Sequence, residues 1–249
     1  MKTSRGEAVV EDFDHVSEHI SRLELHWDLY GLVTIPVSVW LVRGERSWTL
    51  IDSGPPETSE VLIPAISRAT SGAGVQQVVL THGHYDHAGG LAELKLAWKP
   101  AVLCHSLEAP FVSGDASYDE VPARTFHYWI GKFFVQHLPW GQAVTRELEG
   151  GQSVEGMAII HLPGHSPGHI GLLHPSDQAM IAGDTVMTLR GRVSAPFIFA
   201  TPDPFQAEAS IQRLGELDFA HLLASHGPPL LDRGREAVLK YVARRHPDA

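Results

Sequence analysis

The stretch Thr81-His82-Gly83-His84-Tyr85-Asp86-His87-Ala88-Gly89-Gly90 sets three imidazoles and one carboxylate within six residues. A lone histidine is ordinarily a packed or solvated residue. A His-x-His-x-Asp-His string followed by Ala-Gly-Gly is a donor set with metal-ligand spacing. Three more donors follow, in Pro163-Gly164-His165-Ser166-Pro167-Gly168-His169, Ala182-Gly183-Asp184-Thr185 and Ser225-His226-Gly227-Pro228. Neutral imidazole and carboxylate suit a borderline ion such as zinc. Seven donors are enough for two such ions, which can share a carboxylate.

Every donor group directly follows an apolar run. Val78-Val79-Leu80 leads to His82, and Ile159-Ile160-His161-Leu162 leads to His165. Met180-Ile181 leads to Asp184, and Leu222-Leu223-Ala224 leads to His226. If these runs are strands, a rigid sheet presents all the donors from loops at strand ends.

Further strand-like runs are Ile20–Leu25, Ile35–Val42, Trp48–Ile51, Gln77–Leu80, Ala101–Cys104, Met157–Leu162, Ile170–Leu173, Ala179–Ile181 and Leu222–Ala224. Helix-like segments alternate with them: Ser59–Thr70, Asp86–Trp98, Arg124–His137, Pro204–Leu217 and Arg233–Arg245. Pro64 in the first of these is suited to the first turns of a helix. The alternation indicates a layered α/β fold. No internal repeat or low-complexity segment interrupts it.

At 249 residues, 43% hydrophobic and 19% charged, the chain can bury a sizeable core. Its formal charge is −10, with no block of Lys or Arg, which argues against a dedicated nucleic-acid surface. No apolar run approaches the ~20 residues of a membrane helix. The longest, Ile35–Val42, contains Pro36 and Ser38. Met1 to His15 is polar and acidic and lacks the apolar core of a secretory signal, so a cytoplasmic location is expected. The single cysteine, Cys104, closes the apolar Ala101-Val102-Leu103 and is expected to be a small buried side chain, with no disulfide framework.

Together with Leu50-Ile51-Asp52-Ser53-Gly54, these motifs resemble the metallo-β-lactamase-fold superfamily of hydrolases, in its glyoxalase II-like and lactonase-like group. The resemblance runs from about Ser21 to Arg245. It implies a four-layer αβ/βα sandwich formed as a single domain over 1–249, with an aromatic-rich insertion at about 106–150. It implies that His82, His84 and His165 bind one divalent ion and that Asp86, His87 and His226 bind a second. Asp184 would bridge them, and Asp52 would brace the ligand loop from behind. Zinc is the first expectation for both ions, with iron, manganese or cobalt as alternatives. His169 is expected to support the site rather than ligate.

Such a pair supplies a bridging hydroxide for attack on an acyl carbon, with Asp86 or Asp184 relaying the proton. The expected substrate is a small molecule with an ester-like bond: a lactone, thioester or carboxylic ester. Two alternatives share the fold: a phosphodiesterase or ribonuclease-type hydrolase, and a persulfide dioxygenase with a single iron. His84 stands where flavodiiron oxygen reductases carry Glu. Asp184 stands where the best-known zinc β-lactamases place Cys on the second ion. Candidate pocket residues are Tyr30, Tyr85, Trp129, Phe133 and Phe197. Aromatics on a lid favour an apolar acyl chain. The other reading buries one aromatic face of the insertion in the core or in a homodimer interface. Tyr85 either faces substrate or packs on the following helix.

Overall fold

The structure, a computed structural model, describes residues 12–29, 31–131 and 141–247. The chain opens with the antiparallel strands β1 (Asp14–His15), β2 (Ile20–Leu29), β3 (Val33–Arg43) and β4 (Trp48–Ile51). Helix α1 (Ser59–Ala69) leads to β5 (Gln77–Val79), and α2 (Tyr85–Ala88) with α3 (Leu91–Ala97) leads to β6 (Ala101–His105). Next come α4 (Ala109–Ser113), α5 (Phe126–Gly131) and β7 (Arg146–Leu148). These strands lie in one sheet in sequence order, parallel from β4 to β7.

A second sheet follows from β8 (Ser153–Val154), β9 (Met157–His161), β10 (Ile170–His174) and β11 (Ala179–Gly183). The hairpin β12 (Met187–Leu189)–β13 (Arg192–Ser194) and α6 (Pro204–Glu216) lead to β14 (His221–Ala224), and α7 (Gly234–Arg245) ends the described chain. The order is β14-β11-β10-β9-β8. Only β11–β14 is parallel, because α6 provides the crossover that a parallel pair needs.

Period-2 alternation sorts the side chains into layers. Trp40, Val42, Ile51, Val79 and Leu103 of the first sheet meet Met157, Ile159, Leu172, Ile181 and Leu223 of the second in one buried cluster. Val39, Leu41, Leu50, Val78 and Val102 point the other way and bury Leu62, Ile66, Leu91 and Leu94 of α1 and α3. Met180, Ala182 and Leu222 do the same for Ile211 and Leu214 of α6 and Val238 and Tyr241 of α7. The result is helix, sheet, sheet, helix, as the resemblance implied. Cys104 lies in the outer cluster, and burial pushes its thiol up to about 12.

At the end of the sandwich opposite Asp184, the β10–β11 turn is stitched to the first sheet. Asp177 accepts hydrogen bonds from the Ser17 hydroxyl (2.5 Å), the His19 N–H (2.8 Å) and His19 Nδ1 (2.6 Å).

Two expectations need correction. The helix expected over Asp86–Trp98 is two helices, broken at Gly89-Gly90. The β4–α1 loop presses on the break: a Cβ on Gly90 would lie 2.4 Å from the Ser53 carbonyl oxygen, and the Gly90 N–H donates to Gly54 O at 2.9 Å. Pro64 lies past the first turn of α1. The carbonyl of Glu60 that it deprives of a donor belongs to an exposed residue that water can reach. Of the helix expected over Arg124–His137, Phe126–Gly131 is the helix α5, and 132–140 lie outside the described residues. Strands β1, β7, β8, β12 and β13 had no apolar run to announce them. Among the described residues, no helix is long and apolar enough to cross a membrane.

Candidate metal centre

All four apolar runs that precede donors are strands, β5, β9, β11 and β14, and their C-terminal ends share one edge of the sandwich. There the seven donors converge. His84 Nδ1 lies 3.0 Å from His82 Nε2 and 3.1 Å from His165 Nε2. Asp86 Oδ2 lies 3.6 Å from His87 Nε2 and 3.4 Å from His226 Nε2. Asp184 spans both groups, with Oδ2 3.4 Å from His165 Nε2 and 3.3 Å from His226 Nε2. The ligand atoms of His82, His84 and His165 lie within 4.8 Å of one another, as do those of Asp86, His87 and His226. All seven residues are buried.

The rings are aimed from behind. His87 Nδ1 donates to Asp52 Oδ2 at 2.8 Å. The same oxygen accepts from the Thr81 hydroxyl (2.8 Å), which in turn lies 3.1 Å from His82 Nδ1. His165 Nδ1 meets the Thr201 hydroxyl oxygen at 3.2 Å, and His226 Nδ1 donates to the Pro36 carbonyl at 2.9 Å. Each of these four rings therefore turns Nε2 into the site, the arrangement by which supporting hydrogen bonds set tautomer and ring orientation.

Pro36 is compatible with its place in β3. The Ser38 N–H, of the same parity, donates to Ser225 O, away from β2, so the proline ring points past the end of β4 where no donor is needed.

Asp184 is aimed by its own backbone. The β11–β14 register shifts between Ile181 and Gly183, and Gly183 adopts a left-handed φ of +53°. A Cβ there would lie 2.7 Å from His169 Nε2. That nitrogen accepts the Asp184 N–H at 2.9 Å. Burial pushes His169 down to about 3, so the ring stays neutral and can accept. His169 thus supports Asp184 rather than joining the donor set.

The electrostatics divide the site in two. Burial, reinforced by the neighbouring imidazoles, holds His82 well below its ordinary range. His165 is also held well below, because burial outweighs the pull of Asp184. On the other side burial is overcome by carboxylates. Asp86, Asp184 and Asp52 push His87 up to about 9, and Asp184 with Asp86 holds His226 well above its ordinary range. Asp184 is held well below the usual carboxylate range, because His226, His87 and His165 outweigh its burial. The first group therefore offers neutral imidazoles, and the second lies in a field that favours a cation.

The donor set fits metal ions. His87 Nε2 and Asp184 Oδ1 are both buried without a hydrogen-bond partner among the described residues, and they lie 3.6 Å apart. Leaving a buried polar atom unpaired costs about 1–3 kcal/mol, which coordination by a divalent ion removes. Five imidazoles and two carboxylates without a thiolate suit zinc, iron, manganese or cobalt.

The pocket candidates are less concentrated. Tyr85 hydrogen-bonds Glu57 Oε2 (3.2 Å) and its ring lies 6.1 Å from that of Trp27, so its neighbours include the β4–α1 loop and β2. Trp129 is 56% exposed and stacks with Phe126; Phe197 is 42% exposed and stacks with Phe199. Tyr30 and Phe133 lie outside the described residues. Sequence reasoning missed Thr81, Thr201 and Glu108. Thr81 adjoins the histidine string, and its position directly after Leu80 was the one available signal. Thr201 and Glu108 reach the site from segments with no metal-binding pattern.

Comparison with known proteins places this geometry. Residues 32–226 match the family model described as the metallo-beta-lactamase superfamily. A "Probable metallo-hydrolase YflN" of Bacillus subtilis is 29% identical over 238 residues, which cover 87% of this chain and 90% of that protein. A hydroxyacylglutathione hydrolase of Aeromonas hydrophila is 27% identical over 76% of this chain, a match that spans 61% of that enzyme. The solved structure of TTHA1623, in a di-iron-bound form, superposes with a TM-score of 0.62 at 26% identity, covering 86% of this chain and 95% of that one.

Proposed function

The chain belongs to the metallo-β-lactamase superfamily, and from that premise we propose that it is a metal-dependent hydrolase acting on an ester-like acyl bond of a small molecule, a lactone, thioester or carboxylic ester. The observation that carries this reading is the convergence of two buried three-residue donor groups on one shared carboxylate, Asp184. His82, His84 and His165 would hold one ion, and Asp86, His87 and His226 the other. When bound, divalent ions supply Lewis acidity and a water acidic enough to lose a proton near neutral pH.

The chain's own residues do the rest. Asp52, Thr81, Thr201 and Pro36 orient the imidazoles, so little rearrangement is needed during reaction. Asp86 and Asp184 are both ionised, their carboxyls held below the ordinary range despite burial, and this reading assigns the proton relay to one of them. Zinc or iron is the metal this reading favours; the di-iron form of TTHA1623 supports a two-ion site over a single iron.

Two observations support an acyl substrate. The relative from Aeromonas hydrophila is named for hydrolysis of an acylglutathione. The exposed Phe197 adjoins the centre through Thr201, whose hydroxyl donates to the Phe197 backbone carbonyl at 2.8 Å and meets His165 at 3.2 Å. The short helix α5 packs on the turn Ile198–Ala200 that follows Phe197. An apolar acyl chain suits that rim.

The test is a substrate panel of lactones, thioesters, p-nitrophenyl esters and bis(p-nitrophenyl) phosphate, assayed with zinc- and iron-loaded protein alongside elemental analysis. Acyl cleavage with two ions per chain is expected. Cleavage confined to the phosphodiester, or oxygen uptake with glutathione persulfide by a one-iron protein, would overturn the reading.

A further inference from the structure

Glu108 follows β6 and is completely buried. Its carboxylate takes four hydrogen bonds from separate parts of the chain. Oε2 accepts from the Gly83 N–H at 3.0 Å and from the Tyr118 hydroxyl. Oε1 accepts from the Ser166 hydroxyl at 2.6 Å and from the Gly168 N–H at 2.7 Å. Gly83 lies between His82 and His84, and Ser166 follows His165. One side chain therefore spans the two loops that carry the first group of histidines. The Ile170 N–H bond to Thr81 O (2.9 Å) ties the bases of those loops, and Glu108 ties them further out.

The second group rests on other supports. His87 leans on Asp52 and His226 on the Pro36 carbonyl; neither touches Glu108. We propose that Glu108 is a positioning residue for the first metal group alone, setting the separation of the His82–His84 turn from His165 without touching either ion or substrate. The proposal rests on the two-metal reading above.

The pattern of donors says why this residue is a glutamate. Each oxygen faces one hydroxyl and one backbone N–H. A hydroxyl can reverse its role, but a backbone N–H can only donate. A glutamine would set its NH2 against one of the two backbone N–H groups: turned towards Gly168 it removes that group's acceptor, and turned towards Gly83 it leaves that N–H only the Tyr118 hydroxyl oxygen at 3.0 Å. Alanine would leave the Gly168 N–H buried without its acceptor and the Gly83 N–H with the Tyr118 hydroxyl alone.

The experiment measures cobalt(II) and zinc binding by full-length Glu108→Gln, using competition with a chromophoric chelator and the visible spectrum of the cobalt form. His84→Ala and His226→Ala provide references in which the first or the second group is damaged. In Glu108→Gln, one of the two sites should weaken about tenfold or more, the range found for lost ligand-supporting contacts. The other should keep its affinity, and the residual cobalt spectrum should match that of His84→Ala.

Equal weakening of both sites, no weakening, or a residual spectrum matching His226→Ala would overturn the proposal. Should Glu108→Gln fail to fold, Ser166→Ala and Tyr118→Phe each remove one hydroxyl from the carboxylate. Each should shift the same site in the same direction by a smaller factor, and unchanged affinity in both would overturn the proposal. Wild-type protein unable to bind two ions would sink the two-metal reading itself. Two ions in wild type with no selective loss would sink the role of Glu108 alone.

Discussion

Asp52 Oδ2 and His87 Nδ1 meet at 2.8 Å, with both side chains completely shielded from solvent. The contact fixes the His87 ring so that Nε2 faces Asp86 and Asp184, each 3.6 Å away. Asp52 adopts a left-handed φ of +60°, and its other oxygen accepts the Thr81 N–H at 2.7 Å. One residue at the end of β4 thus holds both the backbone before the histidine string and a ring within it. Asp52→Ala should lower affinity at the Asp86–His87–His226 group by about 10–100-fold. Chelator competition would check this, and an unchanged second site would remove the bracing role.

Asp184 is the shared donor, so its replacement should affect both ions. Asp184→Asn keeps the shape but removes the charge that spans His165 and His226. A fall in kcat together with loss of at least one ion per chain is expected, read by steady-state kinetics and elemental analysis. Wild-type turnover with full metal content would rule out the assignment.

The carboxylates that hold His87 up to about 9 stabilise a proton where a metal would bind. In metal-free protein this charged ring contributes stability that is full below its unfolded value, near pH 6.5, and is lost as the pH rises towards about 9. Metal binding requires the neutral ring, so the proton must leave. The gain in Tm on adding zinc to chelator-treated protein should therefore grow between pH 6.5 and 9. Calorimetry in buffers of different ionisation enthalpy should register proton release. A zinc-induced gain that is flat across this range would contradict the assignment.

If the aromatic rim receives an acyl chain, Trp129→Ala and Phe197→Ala should raise KM for long-chain esters several-fold and leave acetyl esters unaffected. Phe133→Ala applies the same measurement to a position outside the described residues. A KM that is independent of chain length in all three variants would discard the rim as a substrate surface.

Away from the metals, Asp177 joins the sheets through Ser17 and His19. Asp177→Ala leaves those donors short of an acceptor and should cost about 1–3 kcal/mol, measured by urea unfolding. The hydrogen bonds from Ser17 and His19 outweigh burial and hold its carboxyl below the ordinary range. This contribution is therefore present above about pH 4 and is lost as the pH falls through the lowered value.

The strand-end placement of the donors was readable from the chain because each apolar run is local. Val78-Val79-Leu80, Ile159-Ile160, Met180-Ile181 and Leu222-Leu223 all became buried strands feeding the site. The break at Gly89-Gly90 was not readable, since its cause is the approach of Ser53 and Pro56 from another loop. Strands such as Arg146–Leu148 were invisible for a similar reason: pairing with β6, rather than an apolar pattern of their own, makes them strands.

The order of residues along the chain determined which donors exist and that turns after strands would present them. Hydrophobic periodicity and ligand chemistry are properties of short segments. Folding decided which nitrogen of each histidine faces the centre, which ring Asp52 braces, and that Thr201 and Glu108 also hold the loops. These choices are hydrogen bonds between groups far apart in sequence, 35 residues for Asp52 and His87 and 58 for Glu108 and Ser166. Such pairs become neighbours only once the two sheets have packed.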